Sequence, residues 1–287
     1  MRNSPEPGRR SSVAIGFPKR TLISLALMAG LSAVAAGQGS QGRGGAAQPP
    51  RSPKEASPVD LTGYWAAAIT EDWRFRMVTP PKGDYASVPL SADGTKAADA
   101  WDPAKDIAAG EQCRAFGAAG IMRLPVRLHI TWQDDTTLKV DIDNGNQVRL
   151  FHFTPSSGSP SWQGVSIAGW ETVQQGQGLA PAAGGRGNAA VVPTALSGSL
   201  KVVTTRMKPG YLRRNGVPYS ANAVLTEFFD RTSEPNGDSW LILTSIVDDP
   251  AYLNLPFMLT THFKREPDGS KFRPRPCEVT PPVVGGG

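Results

Sequence analysis

The sequence predicts an all-β protein, an antiparallel up-and-down β-barrel of about ten strands with one short helix. The first observation is a run from 122 to 154 in which apolar residues such as Leu128 and Ile130 alternate with polar ones, the period of a half-buried strand. The second is a pair of turn signals, at 134–135 and 144–145, that divide the run into three strands. The third is that further strands of the same kind follow. A long antiparallel sheet removes its unpaired edges by closing, so we expect a barrel.

The first 36 residues predict a secretory signal peptide. Basic residues up to Arg20 precede an uncharged apolar run that begins at Thr21, and 33–35 reads Ala-Val-Ala, a small-residue exit. The apolar run is short for a membrane span, which needs about 20 residues. An uncleaved N-terminal anchor is the alternative. We therefore expect a periplasmic or secreted protein with no stable membrane span after cleavage.

The charge balance argues against a nucleic-acid partner. The chain has 30 Lys plus Arg and 25 Asp plus Glu, and five of these basic residues and one acidic residue lie in residues 1–36. The mature chain would then have 25 basic and 24 acidic side chains. Binding to nucleic acid needs a clustered positive field. We expect a small-molecule ligand and no nucleic acid.

The composition along the chain predicts its domain organisation. Residues 37–58 are rich in Gly, Gln, Pro, Ser and Ala, which predicts a disordered linker. One barrel domain is expected over 59–277, with a mobile loop at 174–198 and a disordered tail at 278–287.

Two cysteines, Cys113 and Cys277, are the only ones in the chain. In an oxidising compartment they most simply form a disulfide with each other, and two unpaired thiols are the alternative. Their spacing contains no CxxC motif and no Cys/His cluster, so haem attachment and structural zinc are not expected.

Strand and helix signals follow one another through the barrel domain. Before the three-stranded run, a helix is predicted from Ser91 to Trp101, because Ser91 suits the N-cap and alanines follow. A loop with one helical turn is expected at 106–120, and a pause in strand character at 208–220. The other predicted strands are 61–70, 72–79, 162–173, 199–207, 222–231, 239–247 and 256–265.

Two resemblances add to this prediction. Gly63-Tyr64-Trp65 is similar to the GxW that opens lipocalin-like barrels, where the Trp closes one end. A broader pattern resembles a family of exported bacterial β-rich proteins. It comprises Cys113, the stretch WQGVSIAGW, the stretch NGVPYS, Asp249-Pro250 with Tyr252 and Pro256, and Cys277. The second resemblance implies an extracytoplasmic β-rich domain and no particular reaction.

The candidate ligand-binding residues are aromatic or titratable side chains on predicted strands: Trp73, His152, Trp170, Glu227 and His262. A buried carboxylate beside a histidine would be able to act as an acid/base pair, but a structural ion pair is the favoured interpretation. His129, His152 and His262 lie on three different strands and would bind a metal only if they converged. Because no HxH pair occurs, we predict no metal and no cofactor.

These observations predict an exported, soluble β-barrel that binds a small, partly apolar ligand in its interior. The first alternative is a hydrolase or isomerase that uses a His with Glu or Asp in the same cavity. The second is a non-catalytic envelope scaffold with a filled core. A Trp- and Phe-lined cavity would favour the binding protein, whereas a filled interior would favour the scaffold.

Overall fold

The computed structural model describes residues 51–174 and 196–283, and its central element is a closed barrel of nine strands. This confirms the predicted fold class. The barrel strands are β1 Gly63–Ala68, β2 Arg127–Asp134, β3 Thr137–Ile142, β4 Gln147–His152, β5 Val165–Gln174, β6 Leu196–Thr205, β9 Val224–Ser233, β10 Ser239–Asp248 and β11 Phe257–Glu266. A separate hairpin consists of β7 Gly210–Arg213 and β8 Val217–Tyr219. The helices are α1 Trp73–Arg76, α2 Ala92–Asp99, α3 Pro103–Ala108, a 3-10 helix Gln112–Phe116 and α4 Ala118–Ile121.

The barrel is not antiparallel throughout. Its strand order is β1-β11-β10-β9-β6-β5-β4-β3-β2, and β1 pairs with β2 to close it. Strand directions cannot alternate all the way round an odd number of strands, so one neighbouring pair must be parallel. That pair is β4 and β5, where Phe151 lies opposite Ser166 and His152 opposite Ile167. The strictly up-and-down prediction is therefore wrong at this one seam.

The predicted strand at 72–79 is also wrong, because this segment contains α1. Phe75 and the adjacent Arg76 are both buried, whereas Trp73 and Met77 are exposed. A strand cannot place two adjacent side chains on one face. Arg76 is drawn inward by a hydrogen bond from its Nε to the carbonyl oxygen of Arg123, at 2.8 Å.

The helix predicted from Ser91 to Trp101 is confirmed, since α2 begins directly after Ser91. The Ser91 hydroxyl accepts a hydrogen bond from the backbone N–H of Gly94 at 3.1 Å, as an N-cap does. The pause predicted at 208–220 contains the β7–β8 hairpin. This hairpin, helices α2 to α4 and the 3-10 helix together form a cap over one end of the barrel, built on a second apolar core around Tyr219 and Phe257.

Large side chains fill the barrel interior, one or more from each strand. They are Trp65, Leu128, Val140, Phe151, Ala168, Leu200, Phe229, Leu241 and Phe263, and all but Ala168 are at most 1% exposed. A barrel of about eight strands is just wide enough for side chains to fill it. The predicted interior binding cavity is therefore occupied by the protein's own core.

The end of the barrel opposite the cap is closed by the segment 51–62. The indole Nε1 of Trp170 donates a hydrogen bond to the carbonyl oxygen of Pro53 at 2.8 Å. Arg231 donates to the carbonyl oxygen of Asp60 at 2.6 Å. Residues 51–58, predicted as the end of a disordered linker, thus contact the barrel because they cover aromatic side chains at its rim.

The predicted disulfide between Cys113 and Cys277 is present, with the two Cα atoms 5.1 Å apart. It joins the 3-10 helix of the cap to the C-terminal segment. Beyond it, the backbone N–H of Val283 donates to the carbonyl oxygen of Thr79 at 3.0 Å, so the predicted disordered tail packs on the protein as far as the structure describes it.

Three predictions fall on residues that the structure leaves undescribed. The signal peptide at 1–36 and the first part of the linker lie outside the described residues, as does 175–195 of the predicted mobile loop. Within 51–174 and 196–283, no helix has the length and apolar character needed to cross a membrane.

Candidate functional site

Three of the five predicted ligand-binding residues lie on the outside of the protein. Trp73 is 65% exposed on α1. His152 and His262 alternate with the buried Phe151 and Phe263, so both histidines point outward from the barrel. The prediction that these side chains line the interior is wrong. On β4 and β11 the buried apolar residues have odd numbers, so the even-numbered histidines lie on the outward face.

Trp170 and Glu227 do point inward, but to different parts of the barrel. Trp170 packs at the rim against Phe153 and Trp132, with ring centroids 5.3 and 6.4 Å away. Glu227 is 1% exposed and lies among the core side chains. The predicted site residues therefore do not converge on one cavity.

Glu227 forms a bidentate ion pair with Arg149 inside the barrel. Arg149 Nη1 and Nη2 donate to the two carboxylate oxygens at 2.9 and 2.5 Å. Nη2 also lies 3.3 Å from the hydroxyl of Thr204, which in turn is 2.8 Å from the hydroxyl of Ser166. This confirms that Glu227 is buried and corrects its predicted role, since its partner is a structural arginine rather than a histidine.

The histidines do not form acid/base pairs with carboxylates at hydrogen-bond distance. His129 Nδ1 is 3.9 Å from Asp141 and His262 Nδ1 is 4.0 Å from Glu71. Both distances exceed the usual range for a hydrogen bond. In the described part of the chain, no group of three His, Cys, Asp or Glu side chains is arranged to hold a metal ion.

A cavity in which polar groups converge lies in the cap, between α2, α3 and the β7–β8 hairpin. This cap cleft has a volume of about 220 Å³. Its walls include four aromatic and four charged side chains, and the other lining residues are Ala, Gly and Pro. The lining comprises Ala97, Ala100, Trp101, Asp102, Lys105, Asp106, Arg114, Pro209, Gly210, Tyr211, Pro218, Tyr219 and Tyr252.

Asp106 is the centre of the polar groups in the cap cleft. It is only 5% exposed, and its two carboxylate oxygens accept hydrogen bonds from the Tyr211 hydroxyl at 3.1 and 2.9 Å. Arg114 Nη1 donates to the same carboxylate at 3.0 Å and also pairs with Glu111 at 3.1 Å. The buried carboxylate is therefore neutralised, which is what a stable buried charge requires.

Two of the three tyrosines that line the cleft, Tyr211 and Tyr219, keep their protons at neutral pH. Burial, reinforced by the hydrogen bond to Asp106, raises the pKa of Tyr211. Burial also raises the pKa of Tyr219, against the opposing charges of Arg114 and Arg149. Both groups are therefore hydrogen-bond donors at neutral pH and unsuited to act as general bases. The Tyr219 hydroxyl has no hydrogen-bond partner among the described residues.

Local structure explains how the cleft residues are positioned. Asp102 caps α3 by accepting from the backbone N–H of Ala104 at 3.0 Å, which directs Asp106 inward one turn later. Arg114 follows the disulfide-bonded Cys113 in the 3-10 helix. Trp101 packs directly on Gly216, where a side chain would overlap the indole and where φ is +82°.

Sequence reasoning missed Asp106, Arg114 and Tyr211, because they lie in segments with loop composition. One signal was available: Asp102-Pro103 is a helix-start signal, with an N-cap residue followed by proline at the first helical position. Applied there, it predicts α3 and places Asp106 on its inner turn. The pairing of this helix with the hairpin 105 residues later had no signal in the sequence.

A second, shallower groove lies on the outer surface of the barrel. It has a volume of about 360 Å³ and is lined mainly by Trp240, Ile242 and His262, with Ala68, Thr70, Thr232 and Glu234 at its edge. Its walls are the outer faces of β1 and β9 to β11. The predicted residue His262 therefore belongs to a groove, but to one outside the barrel.

No family model, no curated protein and no solved structure matches this chain. A function is therefore inferred from the geometry of the site.

Proposed function

We propose that the protein is an exported binding protein that holds a small, partly apolar ligand in the cap cleft. The observation that carries this proposal is the cleft of about 220 Å³, in which aromatic walls surround the Asp106, Tyr211 and Arg114 group. Small-molecule sites usually combine apolar walls with a few convergent polar groups. The barrel supports the cleft and does not itself contain the ligand.

The lining restricts the kind of ligand that fits. Pockets for drug-sized molecules have about 300 to 1000 Å³, so this cleft suits a smaller molecule of about one ring. Tyr252 is the most accessible aromatic ring of the lining, since Trp101 and Tyr219 are 4% and 0% exposed, while Lys105 and Asp102 at the cleft offer a donor and an acceptor. Positive and negative groups are balanced there. A neutral molecule with one apolar face and several hydroxyl groups, such as a monosaccharide, matches this pattern.

Export is a further part of the proposal. A disulfide at Cys113 and Cys277 is typical of an oxidising compartment, and it supports the proposed periplasmic or secreted location. Trp65 is fully buried, and its ring lies 5.8 Å from the guanidinium of Arg265 on the last strand. In the proposed likeness to lipocalin-like barrels, Trp65 closes one end of the barrel, and its burial beside Arg265 supports that role.

Native mass spectrometry of the mature protein from its own host tests the proposal directly. We expect a retained molecule of about the size of a single ring, with loss of most of it in Tyr252→Ala. Trp240→Ala, in the outer groove, is the matched control and should retain the molecule. A panel of monosaccharides titrated against intrinsic fluorescence supplies affinities. We expect Tyr252→Ala to weaken binding about tenfold, or about 1.4 kcal/mol.

The opposite pattern would contradict the cleft. If no molecule is retained and no sugar binds, the filled barrel interior favours the envelope scaffold instead. If Trp240→Ala abolishes binding and Tyr252→Ala does not, the ligand site is the outer groove.

A further inference from the structure

Five arginines gather beside α1, where the segment 71–86 packs against the cap. Of these, Arg76, Arg123 and Arg213 are 1%, 5% and 3% exposed. Arg214 is partly buried, and Arg74 lies at the surface. Three carboxylates, Glu71, Asp72 and Asp84, lie near this arginine cluster. Five cations therefore face three anions, and the most deeply buried cations are the least well paired.

Some of the guanidinium nitrogens have clear structural partners. Arg76 donates from Nε to the carbonyl oxygen of Arg123 and pairs through Nη1 with Glu71. Arg213 donates from Nη1 to the carbonyl oxygen of Ala86 at 2.7 Å. Arg214 donates from Nη2 to the carbonyl oxygen of Arg76 at 2.9 Å. These bonds fix the backbone of the segment and account for one nitrogen or two on each side chain.

The remaining nitrogens have no acceptor among the described residues. Arg123 is the extreme case, because Nε, Nη1 and Nη2 are all buried and none of them donates a hydrogen bond. Its nearest carboxylate oxygen belongs to Asp72 and is 3.6 Å from Nη2. Arg213 Nε and Nη2 and Arg76 Nη2 are also buried without a partner. A guanidinium without acceptors is among the costliest groups to bury.

Aromatic rings hold two of these guanidinium groups close together. The Arg123 and Arg213 guanidinium carbons lie 5.4 and 5.9 Å from the centre of the same ring, that of Phe257. Arg213 also lies 3.9 Å from the centre of the Phe75 ring. Burial, and next the charge of Arg213, lower the pKa of Arg123. The fold therefore places two like charges side by side without the anion that would normally neutralise them.

We propose that Arg123, Arg213 and Arg76 form a binding site for a small oxyanion. Carboxylate, phosphate and sulfate share the required chemistry, because each offers two or more oxygens that can accept from planar guanidinium groups. The site lies outside the cap cleft and does not depend on the function proposed for it.

A bound oxyanion would take the place of the Asp72 carboxylate beside Arg123 or lie next to it. Asp72 is 40% exposed at its side chain and is the residue whose carboxylate lies nearest to Arg123. Its backbone has φ +50°, a conformation that few residues other than glycine adopt. In the absence of an oxyanion, Asp72 supplies part of the compensating negative charge. Removing that charge should strengthen oxyanion binding at the arginines.

The test is calorimetric titration of the mature protein with sodium phosphate, sodium sulfate and sodium acetate. Sodium chloride at matched ionic strength is the reference. We expect at least one oxyanion to give saturable binding that chloride does not, and the ranking of the three separates tetrahedral from planar ligands. Arg123→Met should weaken this binding by about tenfold or more. Arg74→Gln removes an equal charge from the exposed side of the same segment and should change the affinity by less than about twofold.

Asp72→Asn keeps the test decisive if Arg123→Met fails to fold. This surface substitution should tighten the binding of the same oxyanion by about threefold or more, because it removes a competing carboxylate. Absence of any oxyanion binding beyond chloride in the wild-type protein would overturn the proposal. So would an unchanged affinity in a folded Arg123→Met protein, or an affinity that Asp72→Asn fails to increase. A crystal structure grown in the oxyanion that binds, with only water beside Arg123, would overturn it as well.

Discussion

The ion pair between Arg149 and Glu227 should be costly to break and inexpensive to replace. Both side chains are at most 1% exposed, and two hydrogen bonds join them inside the barrel. Removing one partner leaves a buried charge without compensation, which costs about 3 to 5 kcal/mol. We therefore expect Arg149→Met and Glu227→Leu each to lower the free energy of unfolding by that amount.

The double variant is expected to be much closer to the wild-type protein. Replacing both charges by apolar side chains of similar volume is often neutral or stabilising by about 1 to 4 kcal/mol. The Thr204 hydroxyl, which also lies 3.3 Å from the arginine, retains its bond to Ser166 at 2.8 Å in that variant. Arg149 Nε is itself buried without a partner, so the wild-type pair is not fully satisfied.

Urea unfolding and thermal melts with the disulfide intact, both followed by circular dichroism and tryptophan fluorescence, measure all four proteins. A domain of this size loses about 2 to 4 °C of Tm per kcal/mol, so each single variant should melt roughly 6 to 20 °C lower. The double variant should be more stable than either single one. Additive losses would refute the reasoning, because they would mean that the two charges stabilise the fold independently rather than by compensating each other.

Three further predictions concern the cap. Replacing Cys113 and Cys277 by Ser should lower the free energy of unfolding by about 5 kcal/mol in the chain-entropy argument, since the bond closes a separation of 164 residues; equilibrium unfolding of the variant measures this. Burial, and next a hydrogen bond to a neighbouring aspartate, raise the pKa of Tyr85 from 10.0 to about 12. The neutral phenol therefore stabilises the folded state below pH 10, and this contribution is lost as the pH rises toward 12, so Tyr85→Phe should flatten the pH dependence of stability in that window. Gly216→Ala should lower the free energy of unfolding by about 1 to 3 kcal/mol and weaken ligand binding, because the new methyl group overlaps the indole that lines the cap cleft. Gly237→Ala, with open space around it, is the control and should leave binding unchanged. Thermal melts and ligand titrations compare the two variants.

The barrel was predictable because its signals are local. Alternation along 127–152 and the turn at Asn144-Gly145 determine three consecutive strands and their inward face. The parallel seam was not predictable in the same way. It depends on the number of strands that close the barrel, and no residue of β4 or β5 encodes that number by itself.

The functional predictions failed where a single alternation was used to assign an inward face. His152 has the apolar neighbours Val148 and Leu150 on its own face of β4, which suggests an inward face, yet Arg149 and Phe151 are the residues that point into the barrel. A buried arginine between two apolar neighbours inverts the apparent polarity of the strand. The pairing of Arg149 with Glu227, 78 residues away, is a tertiary contact that periodicity cannot reveal.

The location of cavities and unpaired charges in this protein follows from the way the barrel is filled. Trp65, Phe151 and Phe229 occupy the interior, so an additional ligand has no space there. Both ends are covered, one by the segment that contains Pro53 and the other by the cap. The cap is assembled from short helices and a hairpin whose many loop carbonyls and charged side chains must be satisfied locally. Enclosed space and incompletely paired charges therefore occur in the cap and in the segment packed beside it, where the disulfide at Cys113 limits the movement of the elements that hold them.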